Sequence, residues 1–144
     1  MDCGGNKMPI VEELIRTEEN GKLSFGNHTL NEKAKKEDYE YAGDLYKVKT
    51  FNSMTKLEKN GLFLYESVPG TSVSNFVETE NGVSFNVSGK DDVQITLGLK
   101  DDTEYKVNVD GMSVGHMTTN MGGKLVLSLE LVGDREQEVK VTRV

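Results

Sequence analysis

The sequence predicts an all-β protein, mainly antiparallel: a β-sandwich of roughly ten strands with a short N-terminal helix. Three observations carry this expectation. From Val83 onward, apolar residues alternate with small or polar ones in short runs: Val83-Ser-Phe85-Asn-Val87, Val93-Gln-Ile95-Thr-Leu97, Tyr105-Lys-Val107-Asn-Val109, Leu125-Val-Leu127-Ser-Leu129 and Val139-Lys-Val141. That is the period of a strand with one face buried and one face wet. Fifteen Gly against two Pro suit many tight reversals. A hydrophobic content of 35% and a mean hydropathy of -0.51 are low, yet they suffice when each strand buries only one face.

Taken in order, residues 1–8 read as a flexible tail holding the single cysteine, Cys3, and residues 9–144 as one sandwich domain. Within it, 9–80 form an irregular N-terminal part and 81–144 a regular, immunoglobulin-like part. Pro9-Ile10-Val11-Glu12-Glu13-Leu14-Ile15-Arg16 places apolar residues at i, i+1, i+4 and i+5 behind a Pro and two acids, which predicts the helix. Asn20-Gly21, Asn60-Gly61, Asn81-Gly82 and Asp110-Gly111 predict hairpin tips, because the pair adopts the positive φ angles that such turns require. The Asn-Gly spacings are unequal, so the chain is no solenoid. Residues 29–44 are strongly charged around Tyr39 and Tyr41 and predict an exposed connection into an edge strand. Leu45–Phe51 reads as a strand. Leu62-Phe63-Leu64-Tyr65 is apolar on both faces and predicts a central or covered strand. Ser72–Glu78, Met112–Thr118, Leu125–Leu131 and Glu138–Arg143 complete the set.

Composition excludes several function classes. A formal charge of -7 and the absence of a basic stripe argue against nucleic acid. No apolar run is long enough to span a bilayer as a helix, and the N-terminus has neither the basic nor the apolar region of a signal peptide; a cytoplasmic location is the default expectation. One cysteine allows no intramolecular disulfide.

The stretch Leu99, Thr103, Tyr105, Val107, Val109 resembles the end of a fibronectin type III or immunoglobulin-like domain. The resemblance implies that a Tyr hydroxyl caps a corner before the alternating strand. Asp101 stands where Pro is common there, and three further candidate strands follow instead of one. More loosely, Tyr46 to Val141 resembles short bacterial proteins that carry an endosialidase-like label. Sialidase chemistry would need three converging arginines, a Tyr nucleophile and an acidic partner. The chain has only Arg16, Arg135 and Arg143, dispersed, and no Trp. The residues thus argue against sialidase chemistry, and this second resemblance implies only a small soluble protein of unestablished function.

No residue set rises to a catalytic, cofactor or metal signature. His28 and His116 are the only imidazoles; no Gly-x-Ser-x-Gly accompanies them. His116 shares the parity of Met112 and Val114, which predicts a hydrogen-bonded, half-buried side chain. Zinc lacks a Cys pair or a His-x-x-x-His. Asp91, Asp92 and Asp110 at one end of the meander, and Asp101, Asp102 and Glu104 at the other, read as solvated turns and not as calcium loops. Asn27-His-Thr29 and Asn86-Val-Ser88 match the glycosylation sequon, a pattern common by chance. Two surfaces remain. Met112, Met117 and Met121, with Thr118 and Asn120, lie among Gly115, Gly122 and Gly123 and suit an adaptable protein interface. Tyr39, Tyr41, Tyr46 and Tyr65 are the candidates for stacking on a sugar ring. The expected function is a non-enzymatic interaction or structural module that self-associates or binds a protein partner. A carbohydrate-binding accessory module is the alternative, and a hydrolase the third reading. No cofactor is expected.

Overall fold

The computed structural model describes residues 10–131 and 135–144; the tail predicted for residues 1–8, with Cys3, lies outside them. Thirteen strands make up the described secondary structure: β1 (Ile15–Thr17), β2 (Leu23–Phe25), β3 (Ala34–Tyr41), β4 (Asp44–Phe51), β5 (Met54–Lys59), β6 (Leu62–Val68), β7 (Ser72–Thr79), β8 (Gly82–Ser88), β9 (Val93–Gly98), β10 (Glu104–Val109), β11 (Met112–Thr118), β12 (Lys124–Leu129) and β13 (Gln137–Arg143). They form a seven-stranded sheet, β1-β2-β7-β8-β13-β10-β11, and a six-stranded sheet, β12-β9-β6-β5-β4-β3. Every pairing is antiparallel. Both sheets draw strands from residues 9–80 and from 81–144, each set forming one contiguous block: β1-β2-β7 beside β8-β13-β10-β11, and β12-β9 beside β6-β5-β4-β3.

The predicted N-terminal helix is absent. Val11 and Leu14 close a turn in which the Leu14 N–H donates to the Val11 carbonyl at 3.0 Å, and Leu14 itself takes φ +75°, far from the helical value. The Val11 N–H donates to Gly26 O and the Gly26 N–H to Leu14 O, so this backbone is committed to the strand that follows it in the chain. Ile15 then opens β1. The apolar spacing that reads as a helical face is a turn plus a strand, with Val11 and Ile15 both buried.

Two sequence expectations shift by one residue. Asn60-Gly61 and Asp110-Gly111 do form two-residue tips with both φ angles positive. At the β7–β8 hairpin, however, Thr79 pairs with Gly82, leaving Glu80-Asn81 as the tip. Gly82 is used inside the sheet instead, where any Cβ would collide with the Val141 carbonyl of β13. In β6 the apolar run reflects a bulge: Leu57 pairs with Tyr65 and Glu58 with Phe63, so Leu64 has no partner on β5. Leu64 and Tyr65 can thus both be buried, while Leu62 is 72% exposed. Charged β3 is indeed an edge strand, bulged between Lys36 and Tyr39.

The two sheets meet over one continuous cluster of buried side chains. At its centre Tyr65 of the six-stranded sheet is surrounded edge-on by Phe25, Phe76 and Phe85 of the other, with ring centroids 5.2, 6.4 and 5.7 Å away, the preferred geometry for aromatic pairs. The polar end of Tyr65 belongs to a second, hydrogen-bonded layer at the β6–β7 crossover. Thr71 Oγ1 lies 2.7 Å from Tyr65 Oη and 2.8 Å from Ser67 Oγ. Thr55 Oγ1 donates to Thr71 O at 2.8 Å and accepts from the Thr71 N–H at 3.1 Å. Since Thr55 spends its proton on that carbonyl, Thr50 must donate to Thr55 across their 2.8 Å contact, while Thr50 Oγ1 accepts from the Asn27 N–H. Thr50, Thr55, Tyr65, Ser67 and Thr71 are all 0% exposed. Gly26 closes the layer: a Cβ there would stand 2.5 Å from Thr71 O, and its φ of +98° is strained for any other residue.

Thr71→Val should strand the buried Tyr65 and Ser67 hydroxyls and cost about 1–3 kcal/mol in urea unfolding. Adding Tyr65→Phe should recover part of that loss, and a purely additive double mutant would show that the hydroxyls do not act together. Burial pushes the Tyr65 phenol well above the ordinary tyrosine range, and burial likewise raises Tyr46. The unfolded chain therefore ionises these groups first, so their contribution to stability is intact below about pH 10 and falls as pH rises beyond it. In an alkaline absorbance titration the Tyr65→Phe variant should lose a late component.

Candidate functional site

A sandwich with open sheets has four edges, and their chemistry differs. On one flank lie β1, three residues long, and β3, which carries Lys35, Lys36, Glu37, Asp38 and Glu40 and a bulge. Short length, charge and bulging are the ordinary means by which an edge resists pairing with another chain. On the opposite flank lie β11 and β12. β11, Met-Ser-Val-Gly-His-Met-Thr, holds no Asp, Glu, Lys or Arg over seven residues and is exposed at every position but Met117. Among the described residues its outer backbone edge has no strand partner.

A bulge also governs which side chains β11 presents. Val107 pairs with Gly115 and Asn108 with Ser113, so Val114 has no partner on β10 and the alternation slips by one residue there. Residues directly opposite share a face. Met112, opposite Val109, and Met117, opposite the buried Tyr105, are therefore on the inner face. His116 lies opposite Lys106 on the outer face. This corrects the parity expected from the sequence: His116 is exposed, half its side-chain surface in solvent, and does not share a face with Met112. Its Nδ1 lies 2.8 Å from Glu104 Oε2.

The predicted interface residues divide accordingly. Met112 is 73% and Met121 82% exposed, with Val114 at 53%, whereas Met117 packs partly against the core. The methionines do not form one cluster: Met112 begins the strand and Met121 follows its far end, roughly 20 Å on at strand rise. Thr118 is exposed opposite Glu104. Asn120 is committed to its own loop, its Oδ1 accepting from the Gly122 and Lys124 N–H groups at 2.8 and 3.0 Å. Its neighbour Thr119, read from the sequence only as part of the same polar, hydrogen-bonding loop, is buried and donates to Lys100 O at 2.7 Å, pinning this loop to the β9–β10 crossover.

The four candidate stacking tyrosines do not make a platform. Tyr65 is in the centre of the core and Tyr46 is 5% exposed, packed edge-on to Tyr41 at 5.7 Å. Tyr39 and Tyr41 are half-buried and tie β3 to the first hairpin: Tyr39 Oη lies 2.8 Å from Thr17 Oγ1, and Tyr41 Oη donates to Gly21 O at 2.7 Å. Their polar ends act as fasteners across the β1–β3 flank.

His28 does meet a serine, its Nδ1 2.7 Å from Ser72 Oγ, but the pair is 4% and 3% exposed and continues the buried polar layer. Asn27 of the first sequon is likewise buried, its Oδ1 accepting from Thr29. Asp110 Oδ1 accepts from the Glu138 N–H at 2.9 Å. Among the described residues no three His, Cys, Asp or Glu side chains converge as they would to hold a metal ion. Among them, too, no helix is long and apolar enough to cross a membrane.

At the end of the sandwich remote from Thr71 the sheets part around a groove of about 530 Å³. The β5–β6 tip, the β7–β8 tip, the end of β9 and the start of β12 surround it. Leu62, Phe63, Leu64 and Leu99 supply its apolar surface and Lys59, Lys100, Lys124, Glu78 and Glu80 its charges. Lys59 Nζ bridges the two sheets through Glu78 Oε1 at 2.9 Å, with Asp44 at 3.8 Å. Lys124 Nζ is held 4.9 Å over the Phe63 ring. No sequence motif announces this groove, because its walls come from four separate segments of the chain, two hairpin tips and two strand ends.

The Lys59–Glu78 strap has a testable pH signature. Its hydrogen bond to Glu78 holds the Lys59 ammonium above the ordinary lysine range, against a smaller effect of burial. A raised folded-state value means the stabilisation is complete below the ordinary lysine range and lost as pH climbs through the raised value. Lys59→Met should therefore cost about 0.5–1 kcal/mol at neutral pH, with wild type and variant converging in alkaline unfolding curves.

No family model, curated protein or solved structure matches the chain; function is read from these surfaces alone.

Proposed function

We propose that this chain is a non-enzymatic interaction module that self-associates, and that β11 is the strand through which it does so, pairing antiparallel with β11 of a second copy. The carrying observation is the contrast between flanks. β1 is short and β3 is charged, whereas β11, although it too carries a bulge, offers an unpaired outer backbone edge over seven residues with no ionic side chain and with Met112 and Val114 exposed. A two-fold pairing of β11 sets no like charges opposite each other, which β3 with Lys35 and Lys36 would do. Strand addition draws affinity from main-chain hydrogen bonds, and flexible methionines adapt to the partner surface. The same reading includes an immunoglobulin-like corner at Tyr105, supported by the Lys100 N–H, which donates to Tyr105 Oη at 3.2 Å where the chain crosses between sheets. Glycan binding has less support, since the tyrosines that would stack are buried or committed.

Light scattering across a concentration series should give wild-type masses above the 16.0 kDa of one chain. Val114→Lys, at an exposed bulge position that carries no core contact, should return the protein to monomer without loss of folding stability. A wild-type monomer at every concentration would end the proposal, and an oligomer indifferent to Val114→Lys would take it away from β11.

A further inference from the structure

The groove at the open end of the sandwich is independent of β11, and its charges are arranged by wall. On the β5 and β7 side the cation is already neutralised: Lys59 is bonded to Glu78 and lies near Asp44. The rim beyond it, at the β7–β8 tip, carries Glu80. On the β9 and β12 side stand Lys100 and Lys124, both exposed, and neither has a carboxylate within ion-pair distance among the described residues. Lys124 is positioned, not free-swinging, because its ammonium rests over Phe63. Between the walls run Leu62, Phe63, Leu64 and Leu99. The groove thus has a cationic end, an apolar bed and an acidic far rim.

Its walls are also set by strands. Any Cβ on Gly98 would collide with the Phe63 carbonyl, so β9 and β6 approach as closely as backbones can where the groove opens. The β6 bulge at Leu64 aims successive apolar side chains to one side. A volume of about 530 Å³ falls within the range of small-molecule sites, which combine an apolar lining with a few placed polar groups.

We infer that this groove binds a small anionic amphiphile, its acidic head between Lys100 and Lys124 and its apolar body along Leu62, Phe63 and Leu99. The Glu80 rim sets the direction, since an anion bound the other way round would face a carboxylate. Phe63 is unsuited to sugar stacking because Lys124 covers a ring face.

The test uses decanoate as probe, with decyltrimethylammonium and decyl glucoside as the cationic and neutral counterparts, each below its micelle concentration, and amide shifts of the isotopically labelled full chain as readout. Decanoate should move Leu62–Leu64, Gly98–Lys100 and Lys124 together, with the cation at least tenfold weaker. The paired Lys100→Glu and Lys124→Glu substitutions should weaken decanoate at least tenfold and reverse the preference between the two ions. If that variant is misfolded by its amide dispersion, Lys100→Ala alone should still weaken decanoate severalfold. Equal binding of all three probes, shifts confined to other surfaces, or no shifts at millimolar decanoate would overturn the inference.

Discussion

Thr71 stands where the chain leaves the six-stranded sheet for the seven-stranded one, and its backbone and hydroxyl are held from both directions. Thr55 grips its N–H and carbonyl, while Tyr65 and Ser67 meet its hydroxyl. Burial of the aromatic cluster supplies a large share of the driving force, but hydrophobic attraction is non-directional and tolerates sliding. A saturated set of buried hydroxyls does not, since a small shift leaves donors or acceptors unmet in a dry interior. The network therefore fixes how one sheet lies on the other.

Much of the fold was legible because one-face burial imprints period two on the chain. The strands from Val83 to Arg143 and the Asn60-Gly61 and Asp110-Gly111 tips were readable for that reason. β5 was not, because it spends an inward position on Thr55, which looks like a solvent residue until its partners are known. β1 was lost to a coincidence of spacing, since a turn followed by a strand can place Val11 and Ile15 at helical intervals. The Met/Gly segment pointed correctly to an uncharged strand, yet the roles of its members depended on a bulge that sequence does not mark. Asn120 reads as a contact residue and its amide oxygen also fastens its own loop, while Thr119 beside it reads only as part of a polar, hydrogen-bonding loop and is buried. The groove had no linear signature at all.

The molecule is polar in an architectural sense. One flank is short, ionic and bulged, held by Tyr39 and Tyr41; the other offers β11 and β12. One end is sealed by hydroxyls; the other is open and strapped by Lys59 and Glu78. The exposed uncharged edge and the groove thus both lie around the β9–β12 quarter, where the connections are fastened by Thr119, Asn120 and the Tyr105 corner. Rigid support beneath adaptable side chains is the arrangement expected of a binding surface.

The unpaired Val114 makes β11 a vernier. Deleting that one residue would restore strict alternation with every other residue of the strand still opposite its present partner on β10. It is a regular strand of the same seven residues, with no bulge, that would put Met112 and Met117 on opposite faces, because they are an odd number of residues apart. What the edge displays is therefore encoded in a count of residues as well as in their chemistry. Neutral drift along this strand should accept many exchanges of one small or apolar side chain for another, and the loss of the bulge residue itself, but few other changes of length.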